Sequence, residues 1–202
     1  MMKKVFVYGS MSQGMVHFDK IKHAVENVIP AKLIAAAYQL SSGYPIIIKE
    51  GMDEVPGHVV ELKSPDMMIP VLDEFFGASR LDTSKGLHLR ESAWATLVDQ
   101  NEPVEVWVYF LNPKKLPSQA KKIRTEDWSN ALNAPKFIDQ LTDRQKMYLR
   151  KLGQITGRES VPVDLSLYRE LMSLELIVDK GRRLALSKFG QEVYRYLGEA
   201  TL

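Results

Sequence analysis

The sequence predicts an α+β domain over residues 1–113 and a smaller, mostly α domain over residues 139–202, with a linker or covering segment at 114–138 between them. Short runs rich in Val, Ile, Leu and Tyr, bounded by Gly, Pro and Ser, recur through the first half in the manner of strands. One or two helical stretches accompany them, without the regular strand and helix alternation of a parallel sheet. Apolar spacing fades between residues 114 and 135 among Lys, Pro, Ser and Asn, and returns beyond it with a helical rhythm.

Taken in order, Lys4-Val5-Phe6-Val7-Tyr8 is a β-rich run stopped at Gly9-Ser10, a strand entering a tight loop. Residues 17–28 space Phe18, Ile21, Ala24, Val25 and Val28 at three and four, which predicts a helix buried on one side and closed by Pro30. Residues 31–40, 44–48 and 57–62 read as successive antiparallel strands. Pro65-Asp66 opens a helix through Phe76 that Pro70 must interrupt or enter in its first turn. Strands at 88–98 and 104–111 flank a charged turn at 99–102, and a short helix is expected near Trp128. Thr142 caps a helix over 143–152 and Asp164 a helix over 165–174. Residues 176–178 and 184–186 form two strands around a turn at 180–183, and 188–197 is a last helix. No internal repeat is present.

The 202 residues are 45% hydrophobic and 26% charged, the balance of a soluble globular protein with a packed core. The absence of cysteine excludes disulfides, Cys-ligated zinc and a Cys nucleophile, and agrees with a reducing compartment. The first apolar run breaks too soon for a signal peptide or membrane span, so a cytoplasmic protein without membrane association is expected. The net charge of +2 divides unevenly: residues 1–113 carry 10 Lys/Arg against 14 Asp/Glu, and residues 114–202 carry 17 against 11. A basic tail raises the question of a nucleic-acid partner, although such an excess also serves solubility. His17 and His23 are six apart and do not share a helix face, and the four histidines show no metal spacing. No Walker loop, dinucleotide fingerprint or Gly-x-Ser-x-Gly elbow is present, so neither metal nor other cofactor is expected.

A series of motifs runs through the first half. It contains Val5-Phe6-Val7-Tyr8-Gly9-Ser10-Met11, Gly43-Tyr44-Pro45, Gly57-His58-Val59-Val60-Glu61-Leu62, Leu72-Asp73-Glu74-Phe75-Phe76-Gly77, Leu89-Arg90 and Val106-Trp107-Val108-Tyr109. In number, order and spacing this resembles the γ-glutamylcyclotransferase-like superfamily, including its avirulence-induced-gene relatives. The resemblance implies a mixed β-barrel with helices and a cavity at one end. There the Tyr8-Gly9-Ser10-Met11 loop would hold a small molecule with a γ-glutamyl or similar amide group, partly through backbone N–H groups. Gly9 lets the main chain approach a ligand closely, and consecutive amides can form a nest for a carboxylate or an oxyanion; the plainer reading is a strand-to-loop turn.

In the family's active enzymes, a glutamate serves as general acid/base while the substrate's own α-amine attacks the γ-amide carbonyl, forming 5-oxoproline and releasing an amine. Matching the family segment onto Leu72 to Gly77 puts Phe76 in the glutamate's place, and a phenyl ring cannot move a proton. The candidate substitutes are Glu74, Glu61 and Glu91. Glu74 lies two residues from position 76, about 200° round a helix, and should point away; Glu61 and Glu91 sit on strands whose alternation can face them to water. Arg90 and Tyr109 match the family's arginine and final aromatic, each either touching a ligand or serving the structure. His88 replaces a family tyrosine, as a proton carrier or as a half-exposed strand residue. The catalytic assignment therefore stays open, as does the alternative of a non-catalytic ligand-binding or regulatory module.

The C-terminal segment is similar to the last part of a winged helix: Tyr168-Arg169-Glu170-Leu171, Leu174-Glu175-Leu176-Ile177, Gly181-Arg182-Arg183-Leu184-Ala185-Leu186-Ser187 and Phe189-Gly190. In a DNA-binding version residues 165–174 would enter the major groove while Lys180, Arg182 and Arg183 gripped phosphates. Arg169 is the one cation on that helix, beside Asp164 and Glu170, so a protein partner or a dimer through residues 139–202 is preferred to nucleic acid.

Overall fold

A computed structural model describes residues 2–79, 82, 85–155, 159–181 and 183–197. The chain divides into two compact units, Met1–Leu40 with Tyr44–Ala134, and Ser41–Gly43 with Pro135–Leu202.

The first unit is a closed five-stranded mixed barrel with helices on its outside. Its strands are β1 (Lys4–Val7), β2 (Val25–Gln39), β3 (Pro45–Leu62), β4 (His88–Leu97) and β5 (Pro103–Leu111). They run round the barrel in the order β3, β1, β5, β4, β2, and β2 closes it by pairing back onto β3. All neighbours are antiparallel except β1 and β5, which pair in parallel with Val5 opposite Trp107 and Phe6 opposite Val108. Alternation sorts the side chains into two layers. Phe6, Leu33, Ala35, Val59, Val106 and Val108 face one another inside the barrel. Val5, Val7, Val60 and Tyr109 face outward onto the helical turn α1 (Asp19–Lys22) and the helix α2 (Pro65–Phe76), meeting Phe18, Ile21, Met68, Ile69 and Leu72.

Two expectations about elements are corrected. The helix over 17–28 shrinks to the single turn α1, and the chain is already in β2 at Val25, paired with Leu62. The spacing of Phe18, Ile21 and Ala24 does bury them, but fifteen residues of pairing along β2 outweigh the local helical pattern beyond them. Pro30 lies within β2 and accepts a hydrogen bond from the Val98 amide, rather than ending a helix. The runs at 44–48 and 57–62 belong to one strand, β3. Its ladder shifts register where Ile48 faces Ala36 and Asp53 faces Ala35, so residues 49–52 bulge outward and Met52 is 93% exposed.

Helix α2 forms with Pro65 in its first turn, but Pro70 neither interrupts it nor enters that turn: it lies inside a continuous helix that Met68, Ile69 and Leu72 anchor to the barrel. Gly77 ends it at φ 61°, in the left-handed region that favours glycine. Beyond β5 the chain stays on the barrel. The strand β6 (Lys121–Ile123) pairs with β2, and Trp128 and Ala131 of helix α3 (Trp128–Asn133) are buried with the barrel's interior cluster.

The second unit contains α4 (Asp143–Gln154), α5 (Leu165–Ser173), the hairpin β7 (Ile177–Asp179) and β8 (Leu184–Leu186), and α6 (Lys188–Tyr196). Thr142 and Gln145 form a reciprocal capping box at the start of α4, and the Asp164 carboxylate accepts from the Leu167 amide at the start of α5. Leu149, Leu171, Leu176 and Val193 form its core. Arg182, expected in the turn between β7 and β8, lies outside the described residues. No described helix is long and apolar enough to cross a membrane.

Candidate functional site

β1 delivers the Tyr-Gly-Ser-Met segment to one end of the barrel. Tyr8 is still extended, at φ −144° and ψ 170°, and Gly9–Met11 then turn as a single 3-10 loop. The turn is closed by Met11 N donating to Tyr8 O and Ser12 N donating to Gly9 O, which leaves the Gly9 and Ser10 amides outside its own hydrogen bonds. Gly9 holds φ 58°, and a Cβ there would stand 3.2 Å from the Pro45 carbonyl oxygen.

The side chains of the segment go to different places. The Tyr8 ring points into the barrel near Phe6 and Trp128, and its phenol donates to the Tyr109 carbonyl at 3.0 Å. Burial holds that phenol well above its usual pKa. Met11 is buried against the outer layer. Ser10 is half-buried, and its Oγ lies 2.9 Å from Nδ1 of His17. His17 is only 2% exposed, edge-on to Phe75 with ring centroids 5.2 Å apart. Burial, with the Lys20 charge adding to it, lowers its pKa to about 4, so the imidazole is neutral at ordinary pH.

Tyr109 projects from β5 into this same outer layer. Its phenol donates to Asp73 Oδ1 at 2.9 Å, and Arg90 Nη1 lies 3.4 Å from that oxygen. Asp73 is 4% exposed, and the Arg90 guanidinium sits 5.1 Å from the centre of the Trp107 ring. Phe76, one turn along α2 from Asp73, stacks on the Tyr109 ring at 4.4 Å with 12° between the planes. His88 is buried rather than half-exposed, and its Nδ1–H donates to the Phe76 carbonyl at 2.7 Å.

Ser10, Phe76, Arg90 and Tyr109 thus come together at one end of β1 and β5, linked through His17, Phe75 and Asp73, while the Tyr8 ring turns into the barrel and meets them only at the Tyr109 carbonyl. The three glutamates do not join them. Glu74 is exposed on the outer face of α2. Glu61 accepts from Asn27 Nδ2 at 2.8 Å and pairs with Lys4 at 3.5 Å, which keeps its carboxyl below the usual range. Glu91 pairs with Lys49. Sequence reasoning did not single out Asp73 or His17 as members of the site. The spacing of Asp73 from Phe76, three residues on one helix, was the available signal for the first. No group of three or more metal-ligating side chains is found among the described residues.

A closed five-stranded mixed barrel with helices on its outside is the fold of the γ-glutamylcyclotransferase-like class. The chain belongs to the family described as gamma-glutamyl cyclotransferase, AIG2-like, whose sequence profile matches residues 5–130. The chain is similar to three solved structures, in differing degree. A solution structure from Arabidopsis thaliana is 23% identical, with 82% of this chain and 94% of that chain covered at a TM-score of 0.50. YkqA from Bacillus subtilis is 17% identical over 71% of this chain at a TM-score of 0.48, and the match spans 44% of the YkqA chain. An AIG2-like protein from Mus musculus is 14% identical, with 67% of this chain and 85% of that chain covered at a TM-score of 0.42. No curated protein sequence matches the chain.

Proposed function

We propose that the first unit binds a small γ-glutamyl or related amide ligand at the Gly9–Met11 turn, without the family's glutamate. The observation that supports this reading is the Gly9–Met11 turn, whose Gly9 and Ser10 amides lie outside its own hydrogen bonds, while Phe76, where the resemblance puts the glutamate, stacks on Tyr109 at 4.4 Å. The Gly9 and Ser10 amides suit a carboxylate or an amide oxygen. Arg90, although engaged with Asp73, has further guanidinium N–H groups for a ligand carboxylate. Family membership supports the ligand class, and the lack of cysteine agrees with a cytoplasmic setting. Titration calorimetry with γ-glutamyl amino acids, γ-glutamylamines and glutathione tests the reading. Saturable binding of at least one class, weakened by Arg90→Ala, is expected; no binding of any class would overturn it.

A second reading concerns the other unit, as a winged-helix-like module that contacts protein. Helix α5 exposes Leu165 and Met172, seven residues apart on one face, with Arg169 as its one cation. An apolar face of that kind suits a protein surface better than the phosphate-lined major groove. Sedimentation of the chain at rising concentration and a salt-sensitive gel shift with duplex DNA separate the two.

A further inference from the structure

Ser10, in the Gly9–Met11 turn, and His17, six residues beyond that turn, form a hydroxyl–imidazole pair. Their Oγ and Nδ1 are 2.9 Å apart, and the His17 amide also donates to the Ser10 carbonyl at 2.9 Å, so two hydrogen bonds fix one residue against the other. Ser10 is half-buried and His17 is 2% exposed, so the hydroxyl is the member of the pair that a ligand meets. Phe75 and Tyr44 present their rings to the imidazole, at 5.2 and 6.4 Å between centroids, and Lys20 of α1 is the nearby charge. In the tautomer protonated on Nε2, Nδ1 accepts from the Ser10 hydroxyl, a proton acceptor held behind an alcohol.

We propose that the Ser10–His17 pair carries the proton of cyclisation in place of the family's glutamate, with Ser10 touching the ligand and His17 acting through it. The inference rests on the binding reading above. The ligand reacts with its α-amine neutral, the ammonium proton having gone to solvent. The α-nitrogen attacks the γ-carbonyl carbon, and the new C–N bond closes a five-membered ring. A proton leaves that nitrogen for Ser10 Oγ as the Ser10 hydroxyl proton passes to His17 Nδ1, leaving an imidazolium. When the tetrahedral intermediate collapses, the bond to the departing nitrogen breaks. The proton returns through Ser10 to that nitrogen, giving 5-oxoproline, a free amine and neutral His17. No oxidant, metal or co-reactant is required.

Burial keeps the His17 imidazole neutral at ordinary pH, so it is able to take up the proton that leaves the α-nitrogen. The candidate carboxylates do not compete for this role: Asp73 accepts from the Tyr109 phenol and faces Arg90, Glu61 and Glu91 are paired with lysines, and Glu74 is exposed on the outer face of α2.

The test measures 5-oxoproline formation and ligand Kd in parallel, with γ-glutamylamines and γ-glutamyl amino acids, for the wild-type chain, Ser10→Ala, Ser10→Thr and His17→Gln. Wild-type turnover is expected, with kcat lowered about 100-fold or more in Ser10→Ala and His17→Gln and Kd changed by less than about twofold, the scale of lost acid–base help. Ser10→Thr, which keeps the hydroxyl, should retain most of kcat. Binding without any wild-type turnover overturns the relay and leaves the binding reading standing, whereas absence of binding removes both. Full kcat in Ser10→Ala, or a fall in kcat matched by an equal weakening of Kd, also overturns it. Should His17→Gln melt early, the Ala and Thr variants of Ser10 decide alone.

Discussion

The ring of Phe76 lies 4.4 Å from the ring of Tyr109 and only 12° from parallel with it, so the last residue of α2 covers the face of a phenol whose oxygen is held by Asp73. Phe76→Glu exchanges that stacking for a carboxylate at the family's position. Loss of an offset stack and partial burial of a charge should lower stability by about 1–3 kcal/mol in urea denaturation. The new carboxylate, partly desolvated beside the ring, should raise 5-oxoproline formation about tenfold or more over the wild-type rate, within the range of general acid–base help. An unchanged rate in a folded Phe76→Glu protein would mean that position 76 does not face the bound ligand.

Asp73 gathers two donors at one oxygen, the Tyr109 phenol at 2.9 Å and Arg90 at 3.4 Å. Tyr109→Phe removes one donor and leaves the carboxylate with the other, a loss of about 1 kcal/mol. Asp73→Ala leaves a phenol and a partly exposed guanidinium without their shared acceptor, a loss of about 2–3 kcal/mol. In the double mutant the two losses should fall short of additivity by about 1 kcal/mol, and denaturant midpoints of the four proteins measure that coupling. Strict additivity would show that the hydrogen bond contributes nothing beyond its separate residues.

Much of the barrel was legible because it is written in local patterns. The run over 104–111 predicts a strand, and Val106, Val108 and Phe110 on one face of it line the interior. Pro65-Asp66 predicts a helix through Phe76, and Glu74 is exposed, pointing away from position 76 as the 200° turn requires. What was not legible depends on residues far apart in the chain. The parallel pairing of Val5 with Trp107 has no signature at either position, and the bulge at 49–52 arises from a register shift against Ala35 and Ala36. His17 stands just before the helical pattern of Phe18, Ile21 and Ala24, and only the closing of residues 11–16 brings its imidazole to Ser10.

Gly9 supports the loop in two ways, by its φ of 58° and by the absence of a Cβ that would stand 3.2 Å from the Pro45 carbonyl oxygen and 3.4 Å from Pro45 Cγ. Gly9→Ala meets both obstacles. Left-handed strain of about 1 kcal/mol or more adds to a contact that Pro45, held in β3, relieves only by moving. A lower Tm together with a Kd for γ-glutamyl ligands weakened about tenfold or more is expected from thermal melts and calorimetry. A lower Tm with an unchanged Kd would place the ligand away from this turn.

Burial of His17 makes stability depend on pH in a direction that its pKa determines. The ordinary imidazole value of 6.5 applies to the unfolded chain, and burial lowers the folded value to about 4. Between these values the unfolded state binds the proton and the folded state does not, so unfolding takes up a proton and stability falls as the pH is lowered. The slope approaches about 1.4 kcal/mol per pH unit inside the window and vanishes above it, where both states are neutral. His58 is shifted downward by burial as well and adds a slope of the same sign, so the comparison must be made against a variant rather than read from the wild type alone. Urea denaturation at pH 7 and pH 5 should show a smaller loss of stability on acidification in His17→Gln than in the wild type. The difference belongs to His17, because glutamine does not titrate and His58 is present in both. Equal losses in the two proteins would mean that the imidazole takes up its proton while folded, and would remove the neutral base from the Ser10–His17 pair.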